Sequence, residues 1–156
     1  MKWALIAGLM LAACTPKPPP VESFRDTTRQ TYSIAGLDSA RIAGNWVQVA
    51  GFGAACSGGT IEIAPATRYA LCLPGGVKSG AGAMTSTLPG RLDLPGVGAF
   101  WVLWADADDR TLVIGAPDGH YGLILNREAK IPPDRLAAAR DILRFNGYDV
   151  AKLSVY

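Results

Sequence analysis

The sequence is poor in the residues that build metal and catalytic centres. Its 156 residues include a single histidine, His120, and three cysteines. These leave little material for a zinc site made of protein ligands alone, and a Ser-His-Asp triad would have to use His120. Charged residues make up only 18% of the chain, and the net charge of +2 is too small for a nucleic-acid footprint. We therefore predict no enzyme, no cofactor, no metal site and no nucleic-acid partner.

A hydrophobic run long enough to span a bilayer is also missing. The apolar run at the N-terminus extends from Ala4 to Ala13 and is too short to cross a membrane. Lys2 precedes it and small residues end it, which is typical of a cleaved signal peptide. Leu11-Ala12-Ala13-Cys14 resembles the lipobox of bacterial lipoproteins. The alternative is an ordinary secretory signal followed by an incidental cysteine.

The lipobox resemblance implies a membrane anchor. Residues 1–13 would be removed, and Cys14 would become the acylated N-terminus, held by more than one acyl chain. In that family an Asp after the cysteine retains the protein at the inner membrane. Thr15 in this position implies the periplasmic face of the bacterial outer membrane. Residues 14–35, with prolines at 16 and 18–20, are predicted to be a lipidated, Pro-rich tether.

Residues 36–156 show short apolar or alternating runs separated by turn residues. This pattern predicts an all-β domain with one C-terminal helix, in which eight antiparallel strands form an up-and-down barrel. The helix is predicted at residues 132–146, between Pro132-Pro133 and Asn146-Gly147. The predicted strands are Gly44–Phe52, Thr60–Ala64, Arg68–Leu73, Ala81–Leu88, Arg91–Leu94, Ala99–Ala105, Thr111–Ala116 and Gly119–Asn126, with a last strand at Asp149–Val155.

Four motifs in this order resemble the lipocalin family, especially the group of bacterial outer-membrane lipocalins and apolipoprotein D. They are Gly44-Asn45-Trp46, the run from Phe100 to Asp106, the run from Leu123 to Arg127, and the closing segment from Ile131-Pro132-Pro133 to Leu153. Two positions depart from the family pattern. Ala107 stands where a tyrosine is usual, and Leu123 beside Gly122 replaces an aromatic residue.

The resemblance implies both a barrel floor and a ligand site. Gly44, Trp46 and Arg127 would form the floor, with the guanidinium stacked on the indole. Strand alternation, together with the family's aromatic ligand contact at Phe100, places a second set of side chains inside the barrel. This predicted ligand set is Gln48, Phe100, Val102, Trp104, Tyr121, Leu123 and Leu125. The alternative is that these side chains are simply packed core.

The remaining polar and sulfur-containing residues carry little chemistry. In an oxidising periplasm, Cys56 and Cys72 are expected to form a disulfide, provided that the segment after Phe52 folds back over the sheet. A bridge between chains or a free thiol is the alternative. His120 beside a Pro-Asp-Gly turn is interpreted as a solvated turn residue. Asp106, Asp108 and Asp109 are interpreted as an ordinary hairpin turn, because the Gly and Glu positions of a calcium loop are missing.

Our leading hypothesis is a lipid-anchored periplasmic lipocalin that stores or transports envelope lipids. It would bind a small apolar ligand, such as a fatty acid or a lysophospholipid, inside the barrel by apolar burial. The alternative is a structural or interaction lipoprotein with a filled barrel and no ligand. The small residues of Gly76 to Ala83, where a cavity wall usually carries larger side chains, favour this alternative. The sequence identifies no protein partner.

Overall fold

The computed structural model describes residues 22–53 and 55–156. The predicted signal peptide, Cys14 and the Pro-rich part of the predicted tether therefore lie outside the described residues. Within these residues, no helix has both the length and the apolar character needed to cross a bilayer.

The described residues form one antiparallel sheet of ten strands with a single α-helix. Its strand order is β4-β3-β2-β1-β9-β8-β7-β6-β5, and β10 pairs with β1 beside this path. The elements are β1 (Gly44–Phe52), β2 (Gly59–Ile63), β3 (Thr67–Leu73), β4 (Gly76–Gly82), β5 (Thr85–Leu88), β6 (Arg91–Leu94), β7 (Gly98–Ala105), β8 (Thr111–Gly115), β9 (Gly122–Asn126), α1 (Pro133–Phe145) and β10 (Leu153–Val155).

This architecture confirms the predicted fold class but not the count of eight strands. The predicted strand Ala81–Leu88 is divided between β4 and β5, which pair with different neighbours, β3 and β6. Ala83 and Met84 connect the two strands. The chain therefore turns from one edge of the sheet to the other at this point, and the hydrogen-bond ladder is interrupted between β4 and β5.

The sheet curves around one buried cluster and carries a second cluster on its outer side. The inner cluster includes Trp46, Leu71, Phe100 and Leu123, and the outer one includes Val113 and the helix residues Ala139 and Leu143. We call the end of the barrel at the β7–β8 turn and Arg127 the base. The opposite end, which carries the β3–β4 and β8–β9 turns, is the mouth.

Helix α1 confirms the predicted helix to within one residue at each end. Asp134 lies in its first turn, where a carboxylate complements the helix dipole, and Pro133 is the first helical residue. At the C-terminal end, Gly147 adopts a φ of +88°. Its N–H donates to the Arg144 carbonyl, and the Tyr148 N–H donates to the Leu143 carbonyl, the paired bonds of a Schellman motif.

Residues 22–34, which we call the strap, lie against the barrel instead of forming part of a tether. Phe24 is buried, and its ring stacks on Phe52 with the ring centroids 5.6 Å apart. Arg25 is also buried and donates to backbone carbonyls of Pro117, Asn146 and Arg29. The predicted tether, residues 14–35, therefore does not describe residues 22–34, which pack against the barrel. The sequence does not indicate this packing, because the strap has no hydrophobic period and is held by long-range contacts of single residues.

Candidate functional site

Arg127 and Trp46 close the base of the barrel. The Arg127 guanidinium lies 3.7 Å from the centre of the Trp46 indole ring, the arrangement that the family resemblance implies. Its nitrogens also donate to the carbonyls of Ala43, Asn45, Arg41 and Asp109. Burial lowers the pKa of Arg127, and the Asp109 carboxylate opposes this shift. The indole N–H donates to the Ile42 carbonyl at 2.8 Å. The clamp therefore ties the segment before β1 to the end of β9.

Five of the predicted ligand residues meet inside the barrel. They are completely buried and belong to the inner cluster: Phe100, Val102, Tyr121, Leu123 and Leu125. The structure therefore brings these five together, with Trp46 below them. It shows contacts among them and with other core residues, and whether they touch a ligand stays a prediction.

Gln48 also points into the barrel, but both its amide oxygen and its amide nitrogen bond with the backbone of β3. The Cys72 N–H donates to Gln48 Oε1 at 2.8 Å, and Gln48 Nε2 donates to the Cys72 carbonyl at 2.8 Å. A Cβ on Gly59 would lie only 2.8 Å from Gln48 Oε1, so the glycine makes room for the amide. Gln48 thus acts as a structural bridge between β1 and β3.

The predicted disulfide between Cys56 and Cys72 is confirmed within one chain. Its Cα atoms are 5.7 Å apart, inside the ordinary range for a disulfide. The register of β2 and β3 pairs Ile61 with Tyr69. The segment after Phe52 folds back, as the bridge requires.

Trp104 does not face the interior, so this part of the prediction is wrong. A β-bulge in β7 pairs Val102 with Ile114 but Trp104 with Val113. Because the bulge adds one residue, the alternation of faces shifts by one position. Leu103 and Trp104 both pack with the outer cluster, and Ala105 returns to the inner one.

Two tyrosines cross the interior near the mouth. The Tyr69 hydroxyl donates to the Pro95 carbonyl, and the Tyr121 hydroxyl donates to the Ala99 carbonyl, each at 2.6 Å. Burial raises the pKa of Tyr121 well above its ordinary value, which keeps the hydroxyl neutral as a donor. A Cβ on Gly80 would lie 2.5 Å from the Tyr69 hydroxyl oxygen. The small residues of β4 therefore leave space for the Tyr69 ring, which fills this side of the barrel.

A cavity of about 440 Å³ opens near the base, between residues 39–43, the β2–β3 turn and β5. Several of its walls are shared with the inner cluster. None of its lining residues is charged, and its only side-chain hydroxyls come from Ser39 and Ser86. The larger apolar side chains that line it are Ile42, Ile63, Met84 and Leu92.

Sequence reasoning missed this cavity because it treated residues 81–88 as one strand. Met84 lies at the break between β4 and β5 and packs against the inner cluster. The signal in the sequence is the run of Gly and Ala before Met84, which marks a place where a strand can bend. The segment before β1, which supplies Ile42, carries no such signal.

Asp106 closes the acidic turn, and His120 pairs with Asp118. Asp106 Oδ1 accepts hydrogen bonds from the backbone N–H groups of Arg110 and Thr111, which closes the β7–β8 turn. His120 Nδ1 lies 2.5 Å from Asp118 Oδ1. Partial burial raises the Asp118 pKa, but the hydrogen bonds that the carboxylate accepts and the charge of His120 together outweigh it, so the net shift is downward. In the described part of the chain, no three His, Cys, Asp or Glu side chains form a group that could hold a metal ion.

Solved structures whose fold is similar to that of this chain include the siderocalin Ex-FABP, which is described as functioning through dual ligand specificities. It is 17% identical to this chain, with a TM-score of 0.56 over 74% of this chain and 93% of the other. Lipocalin 12 from rat epididymis is 11% identical, with a TM-score of 0.59 over 82% and 90% of the two chains. The chain has a lipocalin fold.

A family model described as a lipocalin-like domain matches residues 88–156, which include β6 to β10 and the helix. A search of curated proteins finds no match. Lipocalins generally bind or transport small hydrophobic molecules and are not generally enzymes. The likeness establishes a lipocalin fold, and the ligand has to be argued from the interior of this chain.

Proposed function

We propose that this chain is a lipid-anchored lipocalin that binds a small apolar ligand at the periplasmic face of the bacterial outer membrane, for storage or transport of envelope lipids. The observation that carries the binding function is the apolar cavity near the base. Its volume of about 440 Å³ lies within the range of small-molecule sites. It is continuous with the inner cluster through Ile42, Ile63 and Leu92.

The lining favours an acyl chain whose polar end stays at the opening. An ionised group placed among Ile63, Met84 and Leu92 would have no partner, and burying an unpaired charge is costly. Ser39 and Ser86 offer hydroxyl groups to a hydroxyl or ester on the ligand. A fatty acid or lysophospholipid would thus insert its hydrocarbon chain and leave the charged head group in water.

The anchor rests on the sequence before the described residues. Leu11-Ala12-Ala13-Cys14 supports acylation of Cys14, and Thr15 supports the outer membrane as the destination. Mass spectrometry of the protein extracted from membranes tests this part of the proposal. We expect a mature chain that begins at Cys14 and carries acyl chains, and an unmodified Cys14 would refute the anchor.

Ligand binding is tested by titrating the delipidated protein with fluorescent fatty acids of increasing chain length. We expect saturable binding in the original protein and weaker binding in a Met84→Trp variant, because the bulkier indole would occupy part of the cavity. Leu88→Trp is the matched control, since Leu88 lies in β5 but is 53% exposed and outside the cavity lining. Absence of saturation at every chain length, or unchanged binding by Met84→Trp, would refute the site.

A second candidate function is a filled barrel that acts through its surface. It is favoured by interior polar groups that already have backbone partners. The side chains of Gln48, Tyr69 and Tyr121 donate hydrogen bonds to the carbonyls of Cys72, Pro95 and Ala99, respectively. This candidate predicts no saturable binding in the same titration, together with an acylated Cys14. The two measurements therefore separate a binding lipoprotein from a structural one.

A further inference from the structure

The strap is fixed at the mouth of the barrel. The Phe24 N–H donates to the Gly119 carbonyl at 2.8 Å, and the Ser23 hydroxyl donates to the Asp118 carbonyl at 2.9 Å. Gly119 has a φ of +73°, and a Cβ there would overlap the side chains of Ser23 and Arg25. The strap thus lies in close contact with the β8–β9 turn, and the described chain begins at this end.

The length of chain before the strap limits how far this end can lie from an anchor. Eight residue steps separate Cys14 from Glu22, and a fully extended chain would span at most about 28 Å over that distance. A chain anchored at Cys14 therefore keeps Glu22, and the mouth that the strap contacts, within about 28 Å of the membrane surface.

The mouth presents an apolar and basic rim. We define the mouth rim as Pro74, Val77, Lys78, Val97 and His120, which share the lining of a shallow cavity of about 280 Å³. Val77 is 63% exposed, the highest value for a large apolar side chain among the described residues. Among the described residues Lys78 forms no ion pair, whereas Glu22 beside the strap residue Ser23 and Asp118 in the β8–β9 turn pair with Lys152 and His120.

We propose that the mouth rim contacts the lipid bilayer to which Cys14 is anchored. Val77 inserts among the lipid head groups, and Lys78 pairs with their phosphates, as basic residues do at anionic membrane surfaces. This inference rests on the acyl anchor of the proposed function. It places the base, and with it the ligand cavity, on the side away from the bilayer, so that ligand exchanges with the aqueous phase.

The test is photo-crosslinking of the acylated full chain in vesicles of phosphatidylethanolamine and phosphatidylglycerol. One variant carries p-benzoylphenylalanine in place of Val77, and the matched control carries it in place of Asp108, an exposed residue of the β7–β8 turn at the base. We expect several-fold more lipid adduct from position 77 than from position 108. Lys78→Glu should reduce the adduct at position 77, because it replaces attraction to the lipid phosphates by repulsion.

The outcomes separate this inference from the anchor. Equal adducts at positions 77 and 108, or a larger adduct at 108, in a protein whose Cys14 is acylated would overturn the orientation and leave the anchor intact. An unmodified Cys14 and a protein that does not float with the vesicles would refute the anchor, and the orientation with it. Either result is read from the mass of the N-terminus and the mass of the adduct.

Discussion

The Tyr69 side chain occupies the space that a Cβ atom would need on Gly80, its partner across the β3–β4 ladder. Gly80→Ala would place a methyl group 2.5 Å from the Tyr69 hydroxyl oxygen and displace it from the Pro95 carbonyl. We expect a loss of about 1–3 kcal/mol in the free energy of unfolding, typical of overpacking. Urea denaturation measures it. Gly36→Ala is the control, because nothing lies within 4 Å of its Cβ position. Equal stability of both variants would contradict the prediction.

Arg127, stacked on Trp46 at the base, is expected to stabilise the fold through both its charge and its planar guanidinium group. Arg127→Met removes the cation over Trp46 and the hydrogen bonds to the carbonyls of Arg41 and Ala43. We expect a loss of about 2–4 kcal/mol in the free energy of unfolding. Arg127→Lys should recover only part of it, since one ammonium group cannot reach four carbonyls and stack at the same time. Full recovery by lysine would show that charge alone matters.

Removal of the disulfide between Cys56 and Cys72 is expected to lower the free energy of unfolding. The bond closes a loop with a sequence separation of 16 residues, and a loop of this size corresponds to about 3 kcal/mol in the chain-entropy model. The double variant Cys56→Ala with Cys72→Ala should lose about this amount in urea denaturation. The original protein measured after reduction should show a similar loss. A double variant as stable as the oxidised protein would mean that the bridge does not stabilise the fold.

Because Tyr121 and Tyr148 are buried, the free energy of unfolding is expected to fall in alkaline solution. Burial raises the pKa of Tyr121 and Tyr148 above the ordinary value of 10.0. Above about pH 10 the unfolded chain releases these protons while the folded chain retains them. Stability is therefore full below pH 10 and falls as the pH rises towards the folded-state pKa values, by up to about 1.4 kcal/mol per pH unit for each tyrosine.

Urea unfolding at several pH values from about 8 to 11 measures this slope. Tyr148→Phe should make it shallower, because one of the two groups is removed. Tyr32→Phe is the control, since Tyr32 is 50% exposed. An identical slope in all three proteins would contradict the assignment to buried tyrosines.

The features that the sequence predicts well are those set by neighbouring residues. Helix α1 begins after Pro132 and ends at Asn146-Gly147 because proline and glycine act on the backbone where they stand. Strand alternation places Leu123 and Leu125 on the inner face of β9. These two features need no knowledge of a distant contact. The disulfide is predicted because Cys56 and Cys72 are the two cysteines that follow Cys14 in a chain expected to reach an oxidising compartment.

The features that the sequence does not reveal depend on shape or on distant partners. The bulge in β7 joins Leu103 and Trp104, two apolar residues that fit either face, so the alternation gives no sign of the shift. Arg25 in the strap bonds with the Asn146 carbonyl, 121 positions away. The cavity at Met84 exists because β4 and β5 pair with different strands. Composition and periodicity give no sign of the bulge or of the Arg25 bond, and the run of Gly and Ala before Met84 marks only the bend and not the cavity beside it.

The bulge in β7 also decides what tryptophan fluorescence can report. Among the described residues, Trp46 lies in the inner cluster, while Trp101 and Trp104 lie on the outer side. A ligand inside the barrel would thus alter the emission of one indole against a constant background from two others. Trp101 also stacks under Arg91, with the guanidinium carbon 4.3 Å from its ring centre. In a chain that begins at Cys14, as proposed, and so lacks Trp3, replacing Trp101 and Trp104 by Phe would leave Trp46 as the single indole, which reports on the interior.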